Sequence, residues 1–167
     1  ACLVRNVGEY PNVKTFNVGF ANRKGEGKLF SGMPDDVPQT VYPHGDNPIS
    51  VAVNFTTPDL FFNENEIDHV DVLKMDIEDS EYLVLPDRKF GKIADRIDAI
   101  VGEAHYTADK GFPEVIPIIL EKYGFKTVFP ELKVPNARRT FRYMDIDTGE
   151  EDQYMIKCNT IFVATRP

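Results

Sequence analysis

An apolar segment followed at once by charged residues is the feature that most constrains the fold of this chain. Residues 70–77, with the sequence VDVLKMDI, are apolar enough for a strand inside a sheet, and Asp79, Ser80 and Glu81 then start a helix. A second interior strand is predicted at residues 97–101. A strand, a helix and another strand in this order predict a parallel pair joined by a crossover helix.

The remaining segments extend this alternation. Further strands are predicted at residues 13–20, 28–30, 49–55, 125–129, 141–146 and 158–164, and helices after Thr57 and over residues 114–123. Residues 31–48 contain four prolines and two glycines, which predicts a long surface loop. The whole pattern predicts an α/β fold with a mostly parallel sheet, an early hairpin or extended strand within residues 13–30, and a C-terminal antiparallel hairpin formed by the last two strands.

Length and charge narrow the class of protein. The chain has 167 residues, 42% of them hydrophobic, which is enough for one core and predicts a single domain over residues 1–167. Its net charge of −8 disfavours binding to nucleic acid, and residues 54–81 carry that whole excess, with nine acids and one base. No apolar stretch approaches the roughly 20 residues that span a bilayer, and no signal peptide is recognisable, so we expect a soluble, cytoplasmic protein without membrane contact.

Polar side chains cluster where the two central strands end. Alternation along the first strand places Lys74, Asp76 and Glu78 on one side, and Glu103 and His105 lie near the end of the second. The carboxyl ends of neighbouring parallel strands are where open α/β sheets bind ligands. Such a group can orient and deprotonate a substrate hydroxyl or hold a divalent ion, and His105 is the side chain best matched to general-base work near neutral pH.

Structural interpretations of the same residues stay open at this point. Lys74 and a following carboxylate can form an ion pair that closes the end of the strand. Asp79 and Glu81 are most simply the acidic first turn of a helix, which its dipole favours. His105 alone is typical of a hydrogen-bonded loop residue, although Glu103 nearby favours a ring oriented by a carboxylate.

Residues 70–81, VDVLKMDIEDSE, resemble the motif of the FkbM-type methyltransferases, which usually reads valine-aspartate-leucine-leucine-lysine-isoleucine-aspartate-x-glutamate-glycine-x-glutamate. Residues 17–27, 53–60 and 100–105 are similar, in the same order, to that family's strand and glycine turn, its threonine-leucine-aspartate helix and its glutamate-x-histidine strand end. The resemblance covers residues 3–165. One departure is Asp79, which stands where the family has glycine.

The resemblance implies a class I, Rossmann-like fold and S-adenosylmethionine-dependent methyl transfer to a hydroxyl oxygen of a sugar, glycan or other small metabolite. The catalytic residues it implies are Lys74, Asp76, Glu78, Glu103 and His105. Asp71 and Asp76 are implied for cofactor binding. Residues 31–48 and 130–139 are expected to shape acceptor selection, as loops at strand ends commonly do.

Class I methyltransferases bind their cofactor largely through a glycine-rich loop and an acidic residue on the first two strands, and neither is found before Val13. Residues 3–12 look instead like the end of a helix. We therefore expect the amino-terminal half of the cofactor site to be missing, with weak or no S-adenosylmethionine binding by this piece and an unpaired sheet edge that favours self-association.

Two other functions compete with methyl transfer. One is a truncated, non-catalytic methyltransferase-like module for binding or assembly. The other is a metal-dependent hydrolase with Asp76, Glu78, Glu103 and His105 as ligands, which is disfavoured because no established ligand spacing supports it. Cys2 and Cys158 lie at opposite ends of the chain, so the cysteines indicate neither a disulfide framework nor a zinc site.

Overall fold

A computed structural model describes residues 2–31, 41, 49–78, 80–105, 115–129, 143–144, 151–152 and 160–167. Apart from Ser31 and Val41, the predicted loop at residues 31–48 lies outside this part of the chain. The same is true of residues 130–139, of Asp79 and of Cys158.

The elements follow the predicted order, with shorter boundaries at several places. In chain order they are α1 (Cys2–Val7), β1 (Gly19–Phe20), β2 (Gly25–Ser31), β3 (Ile49–Thr56), α2 (Pro58–Glu64), β4 (Val70–Met75), α3 (Glu81–Val84), α4 (Arg88–Gly91), a 3-10 helix (Ala94–Arg96), β5 (Ile97–Ala104), α5 (Val115–Glu121), β6 (Lys126–Val128), β7 (Tyr143–Met144), β8 (Glu151–Asp152) and β9 (Thr160–Thr165). The α/β class is therefore confirmed. None of the helices in the described residues is long and apolar enough to cross a membrane.

The first sheet excludes a hairpin, which was one of the two arrangements predicted for residues 13–30. Its strand order is β1-β3-β2, so β1 and β2 do not pair with each other but lie on opposite sides of β3. β2 runs antiparallel to β3, with Gly25 opposite Phe55, and β1 runs parallel to it, with Gly19 opposite the same residue. A Cβ atom at Gly19 or Gly27 would come within 2.8 or 2.5 Å of the Phe55 ring, so the ring occupies space that only glycine leaves free.

The second sheet has the order β4-β5-β9-β6 and positions the site. β4 and β5 are parallel, as predicted, with Lys74 opposite Val101 and Met75 opposite Gly102. β9 runs antiparallel to both of its neighbours. Both described sheets with more than two strands are therefore mixed, and the expectation of a mostly parallel sheet is wrong.

The expected C-terminal hairpin is also wrong. The last strand is antiparallel, as predicted, but it inserts between β5 and β6 instead of pairing with residues 141–146. Because a strand has only two hydrogen-bonding edges, β5 and β6 leave β9 no edge for a third partner. Within residues 141–146 the described strand is β7, which pairs with β8.

The core packs the helices against this second sheet. Its side chains are apolar and fully buried or nearly so. The largest apolar ones among the fully buried are Phe90, Phe162, Leu85, Ile93, Ile97, Ile100, Ile116 and Leu120. At Gly102 an added Cβ would lie 2.5 Å from the Phe162 ring and 2.9 Å from the Met75 carbonyl oxygen. β5 is thus closely held between β4 and β9 just before the chain reaches His105.

Candidate functional site

His105 follows β5 directly, and its position is fixed by contacts on the backbone and on the ring. Only 7% of its side chain is exposed. Ala104, the preceding residue, pairs with Thr160 of β9. The Tyr82 hydroxyl of α3 donates a hydrogen bond to the His105 carbonyl oxygen at 2.7 Å. The ring therefore projects from a backbone that both β9 and α3 hold in place.

Glu81 faces one side of the ring. Its Oε1 lies 3.1 Å from Nδ1 of His105 and also accepts a hydrogen bond from the Ile77 backbone N–H at 3.0 Å. The side chain is fully buried, and Oε2 has no hydrogen-bond partner within the described part of the chain. Since an ionised carboxylate is costly to bury without donors or a counter-charge, Ile77 and His105 are what stabilises it there.

The position of Glu81 corrects the interpretation of this residue as an ordinary acidic first turn. Glu81 does begin α3, after Ser80 at the N-cap. Its carboxylate, however, turns into the protein and bonds back to the segment that precedes the helix. Sequence reasoning missed this contact, although the family-like motif ends in glutamate at this position, and that was the available signal.

Two carboxylates face the other nitrogen of the ring. Nε2 of His105 lies 3.2 Å from Oε2 of Glu78 and 4.0 Å from Oδ1 of Asp76. Glu78 has a φ of +47°, in the left-handed region that costs a residue with a side chain about 1–2 kcal/mol. The loop after β4 thus brings the carboxylate to the histidine in a strained backbone conformation.

Lys74 and Asp76 form the ion pair that was one of the structural interpretations. Nζ of Lys74 lies 2.9 Å from Oδ2 of Asp76, and 72% of the lysine side chain is exposed. An exposed pair of this kind contributes little to stability. Its effect on the site is to balance part of the negative charge of Asp76 near the imidazole.

Glu103 and Asp71 occupy different places. Glu103 is half-buried on β5, and its negative charge acts on His105 from there, although the described residues give it no hydrogen bond or ion pair. Asp71 lies near the start of β4, with 94% of its side chain exposed and Oδ1 3.5 Å from Nε2 of His69. At the usual rise of a strand, five residues separate Asp71 from Asp76 by about 16 Å. The structure therefore brings the predicted residues together except for Asp71.

The carboxylates around His105 together outweigh burial in setting its pKa. Burial opposes the charged ring, but the hydrogen bond and charge of Glu81, together with the charges of Glu78 and Glu103, outweigh it and raise the pKa of His105 to about 9. At neutral pH the ring is therefore an imidazolium that can donate from both nitrogens.

In the described part of the chain, two groups of side chains have the donor atoms for a metal ion. Asp76, Glu78 and His105 offer ligand atoms that all lie within 4.8 Å of one another, and so do the exposed side chains of His69, Asp71 and Asp98. One imidazole nitrogen with two carboxylate oxygens suits a divalent transition metal. Glu103, the fourth ligand of the competing hydrolase hypothesis, is not in the first group.

A second buried polar group near the start of α2 was not predicted. Asp59 is buried, and its carboxylate accepts hydrogen bonds from the Thr57 hydroxyl at 2.5 Å, the Leu60 N–H at 3.0 Å and Nζ of Lys92 at 2.8 Å. Burial raises the pKa of Asp59, but the bonds from Lys92 and Thr57 outweigh burial and lower the pKa. Thr57 stands at the predicted N-cap before Pro58, yet its hydroxyl bonds this carboxylate and not the helix backbone.

A cleft lies between the first sheet and α3. It has a volume of about 420 Å³ and is lined by side chains that are mainly apolar or basic, among them Arg23, Lys28, Phe30, Phe55 and Leu83. Leu83 is the neighbour of Tyr82, whose hydroxyl holds the His105 backbone. The volume is within the range of sites for small molecules.

Comparison with known protein families gives a match. A family model described as the methyltransferase FkbM domain matches residues 7–127, which is well over half of the chain. No curated protein and no solved structure matches the chain. The matched range includes α3 and the ends of β4 and β5, and with them the whole group of side chains around His105.

Proposed function

Because the chain belongs to the FkbM methyltransferase domain family, we propose that it takes part in methyl transfer from S-adenosylmethionine to a hydroxyl oxygen of a sugar or other small metabolite. The observation that carries this proposal is the imidazole of His105, which points one nitrogen at a buried carboxylate and the other at Asp76 and Glu78. This arrangement suits a residue that removes a proton at one defined atom.

The proton transfer needs the neutral form of His105. In that form Nδ1–H donates to Glu81, and Nε2 carries the lone pair. The acceptor oxygen would take the methyl group as the bond from that carbon to the sulfonium sulfur breaks, which leaves a neutral thioether. The hydroxyl proton passes to Nε2 of His105, and the ring becomes an imidazolium. Glu78 and Glu81 then stabilise this charge, one at each nitrogen.

We call the space beside Nε2 of His105, where β4 and β5 end, the crevice. The charges around it fit the cofactor in one respect. S-adenosylmethionine carries a sulfonium and an ammonium group, and when bound it supplies an electrophilic methyl group. Asp76, Glu78 and Glu103 give the crevice negative charge, which favours cationic groups. We assign Asp76 to the cofactor on this ground. Asp71, at the far end of β4, takes no part in the steps proposed here.

The cleft beside α3 has the size and the lining for a small acceptor, although its lining residues do not include the side chains around His105. Its volume of about 420 Å³ accommodates a sugar-sized molecule. Aromatic side chains such as Phe30 and Phe55 suit the apolar face of a sugar ring, whereas Arg23 and Lys28 suit its hydroxyl oxygens.

The test uses the complete encoded protein with methyl-labelled S-adenosylmethionine and a panel of hydroxylated acceptors. We expect Lys74→Ala, Asp76→Ala and His105→Ala each to reduce methyl transfer, with a loss of about a hundredfold or more for His105. His69→Ala is the matched control, because it removes an exposed histidine from the other end of the sheet. Full activity in all three site variants would refute this assignment of the site.

A non-catalytic binding or assembly module is the second candidate, and one observation favours it. Among the described strands β4 lies at the edge of its sheet, with Val72 59% exposed, which suits pairing with another chain or a second copy. Titration calorimetry with S-adenosylmethionine separates the two candidates. Binding by the complete protein supports the enzyme, whereas association without cofactor binding supports the module.

A further inference from the structure

Glu81 is one carboxylate that the methyl-transfer steps do not require as a proton acceptor. We infer that it is the positioning residue of the site, which fixes the ring and the tautomer of His105 so that Nε2 faces the crevice. This inference rests on the proposed function, in which His105 is the base.

One oxygen of Glu81 contacts two separate segments of the chain. Oε1 of Glu81 accepts the Ile77 N–H at 3.0 Å and lies 3.1 Å from Nδ1 of His105. Both partners are held in place, since Ile77 is in the segment that leads into α3 and His105 directly follows β5. The fully buried Glu81 side chain therefore has no room to exchange these partners for water.

The carboxylate of Glu81 determines which nitrogen of neutral His105 carries the hydrogen. An ionised carboxylate can only accept hydrogen bonds, so the ring nitrogen next to Oε1 must carry a hydrogen. In neutral His105 that nitrogen is Nδ1, and the lone pair is then on Nε2. Without Glu81 the same ring could place its lone pair on Nδ1, which faces the protein interior and not the crevice.

Glu81 differs from the other charged groups around the ring in the nitrogen that it contacts. Asp76 and Glu78 approach from the loop after β4, Glu103 acts from β5, and the Tyr82 hydroxyl of α3 donates to the His105 carbonyl oxygen. Within the described residues, Glu81 is the carboxylate that contacts Nδ1. Glu78, 3.2 Å from Nε2, favours a hydrogen on that nitrogen instead, but 36% of its side chain is exposed and water can satisfy it. Glu81 is fully buried and needs the Nδ1–H, so Glu81 decides the tautomer.

A structural role for Glu81 makes a different prediction. If its only task were to hold Ile77, then Glu81→Gln would leave the site unchanged, because a glutamine oxygen still accepts the Ile77 N–H and the Nδ1–H. As a positioning residue, Glu81 also supplies the negative charge that the imidazolium requires. Its removal by Glu81→Gln must then lower the pKa of His105.

The experiment compares wild type, Glu81→Gln and Glu81→Asp in the complete protein, with Glu121→Gln, at an exposed position of α5, as the control for loss of a negative charge. Nitrogen-15 NMR of the histidine rings measures the pKa and the neutral tautomer of His105, and methyl transfer is followed against pH. We expect Glu81→Gln to lower the pKa of His105 by one unit or more. The acid limb of the pH profile of methyl transfer should move to lower pH by the same amount. We also expect kcat to fall by about tenfold or more, with little change in KM.

Glu81→Asp provides the second variant if the glutamine protein does not fold. It retains the charge but shortens the side chain by one methylene, so we expect a smaller change of the pKa and a lower kcat. A His105 pKa, tautomer and rate profile that match wild type in the folded variants would overturn the inference. Absence of methyl transfer in wild type would instead refute the proposed function, and the NMR data would still decide whether Glu81 controls the ring.

Discussion

Oε1 of Glu81 lies 3.1 Å from Nδ1 of His105, although 24 positions separate the two residues in the sequence. The contact joins the first residue of α3 to the end of β5. It places a charge-assisted hydrogen bond where the parallel strands β4 and β5 end, and Nε2 of the same ring then meets Glu78 at 3.2 Å.

Protein stability depends on the protonation of His105. The pKa of His105 is raised to about 9 from an ordinary value of 6.5. The resulting stabilisation is fully present below about pH 6.5 and is lost as the pH rises through about 9. We expect the free energy of unfolding in urea to fall between these values in wild type and to fall less in His105→Gln. Equal slopes in the two proteins would contradict the raised pKa.

The buried carboxylate of Asp59 stabilises the start of α2. Asp59→Asn weakens its bonds with Thr57, Leu60 and Lys92, and we expect a loss of about 1.5–3 kcal/mol in the free energy of unfolding. Because the pKa of Asp59 is lowered, its contribution is present above about pH 4 and is lost as the pH falls through the folded value. Asp95→Asn, at an exposed position, is the control. Equal urea midpoints for the two variants would disprove this role.

Gly102 is required for the close approach of β5 to its neighbours. Gly102→Ala would place a Cβ atom 2.5 Å from the Phe162 ring and 2.9 Å from the Met75 carbonyl oxygen. We expect a loss of about 1–3 kcal/mol in stability and a shifted His105 ring signal in NMR spectra. Thr165→Ala, at the exposed end of β9, serves as the control. An unchanged His105 signal in Gly102→Ala would show that the ring does not depend on this packing.

Glu78 places its carboxylate beside Nε2 of His105 while its own backbone is in a strained, left-handed conformation. Glu66 has a similar φ, +53° against +47°, but is exposed and distant in sequence from the His105 group. We expect Glu66→Gly to stabilise the protein by about 0.5–1 kcal/mol without altering methyl transfer. Glu78→Gly relieves the same strain but removes a carboxylate from Nε2, so methyl transfer should decrease. Equal activity in both glycine variants would show that the Glu78 side chain is dispensable.

Local sequence patterns predicted those parts of the structure that depend on near neighbours. The strands β4 and β5 and the start of α3 follow from apolar alternation and from polar residues at their ends. The same alternation predicted that Lys74, Asp76 and Glu78 share one side, and the chain then brings Asp76 and Glu78 to His105. The elements and the shared side are set within a few residues, whereas the contacts with His105 depend on the parallel pairing of β4 with β5.

The remaining features depend on partners that are distant in the chain. Residues 13–30 have the pattern of a hairpin, but the long segment up to β3 returns to pair with both β1 and β2. β9 has the pattern of a terminal strand, which does not reveal that β5 and β6 flank it. Glu81 has the composition of a helix start, and only the tertiary position of His105 explains why its side chain is buried.

The most direct measurement is the rate of labelled methyl transfer to a hydroxylated acceptor by the complete protein between pH 6 and pH 10. With His105 as the base and its pKa at about 9, kcat/KM should rise about tenfold per pH unit and level off near pH 9. His105→Ala should lose this rise. A rate that is independent of pH over this range, or that is equal in wild type and His105→Ala, would contradict the proposed role of His105.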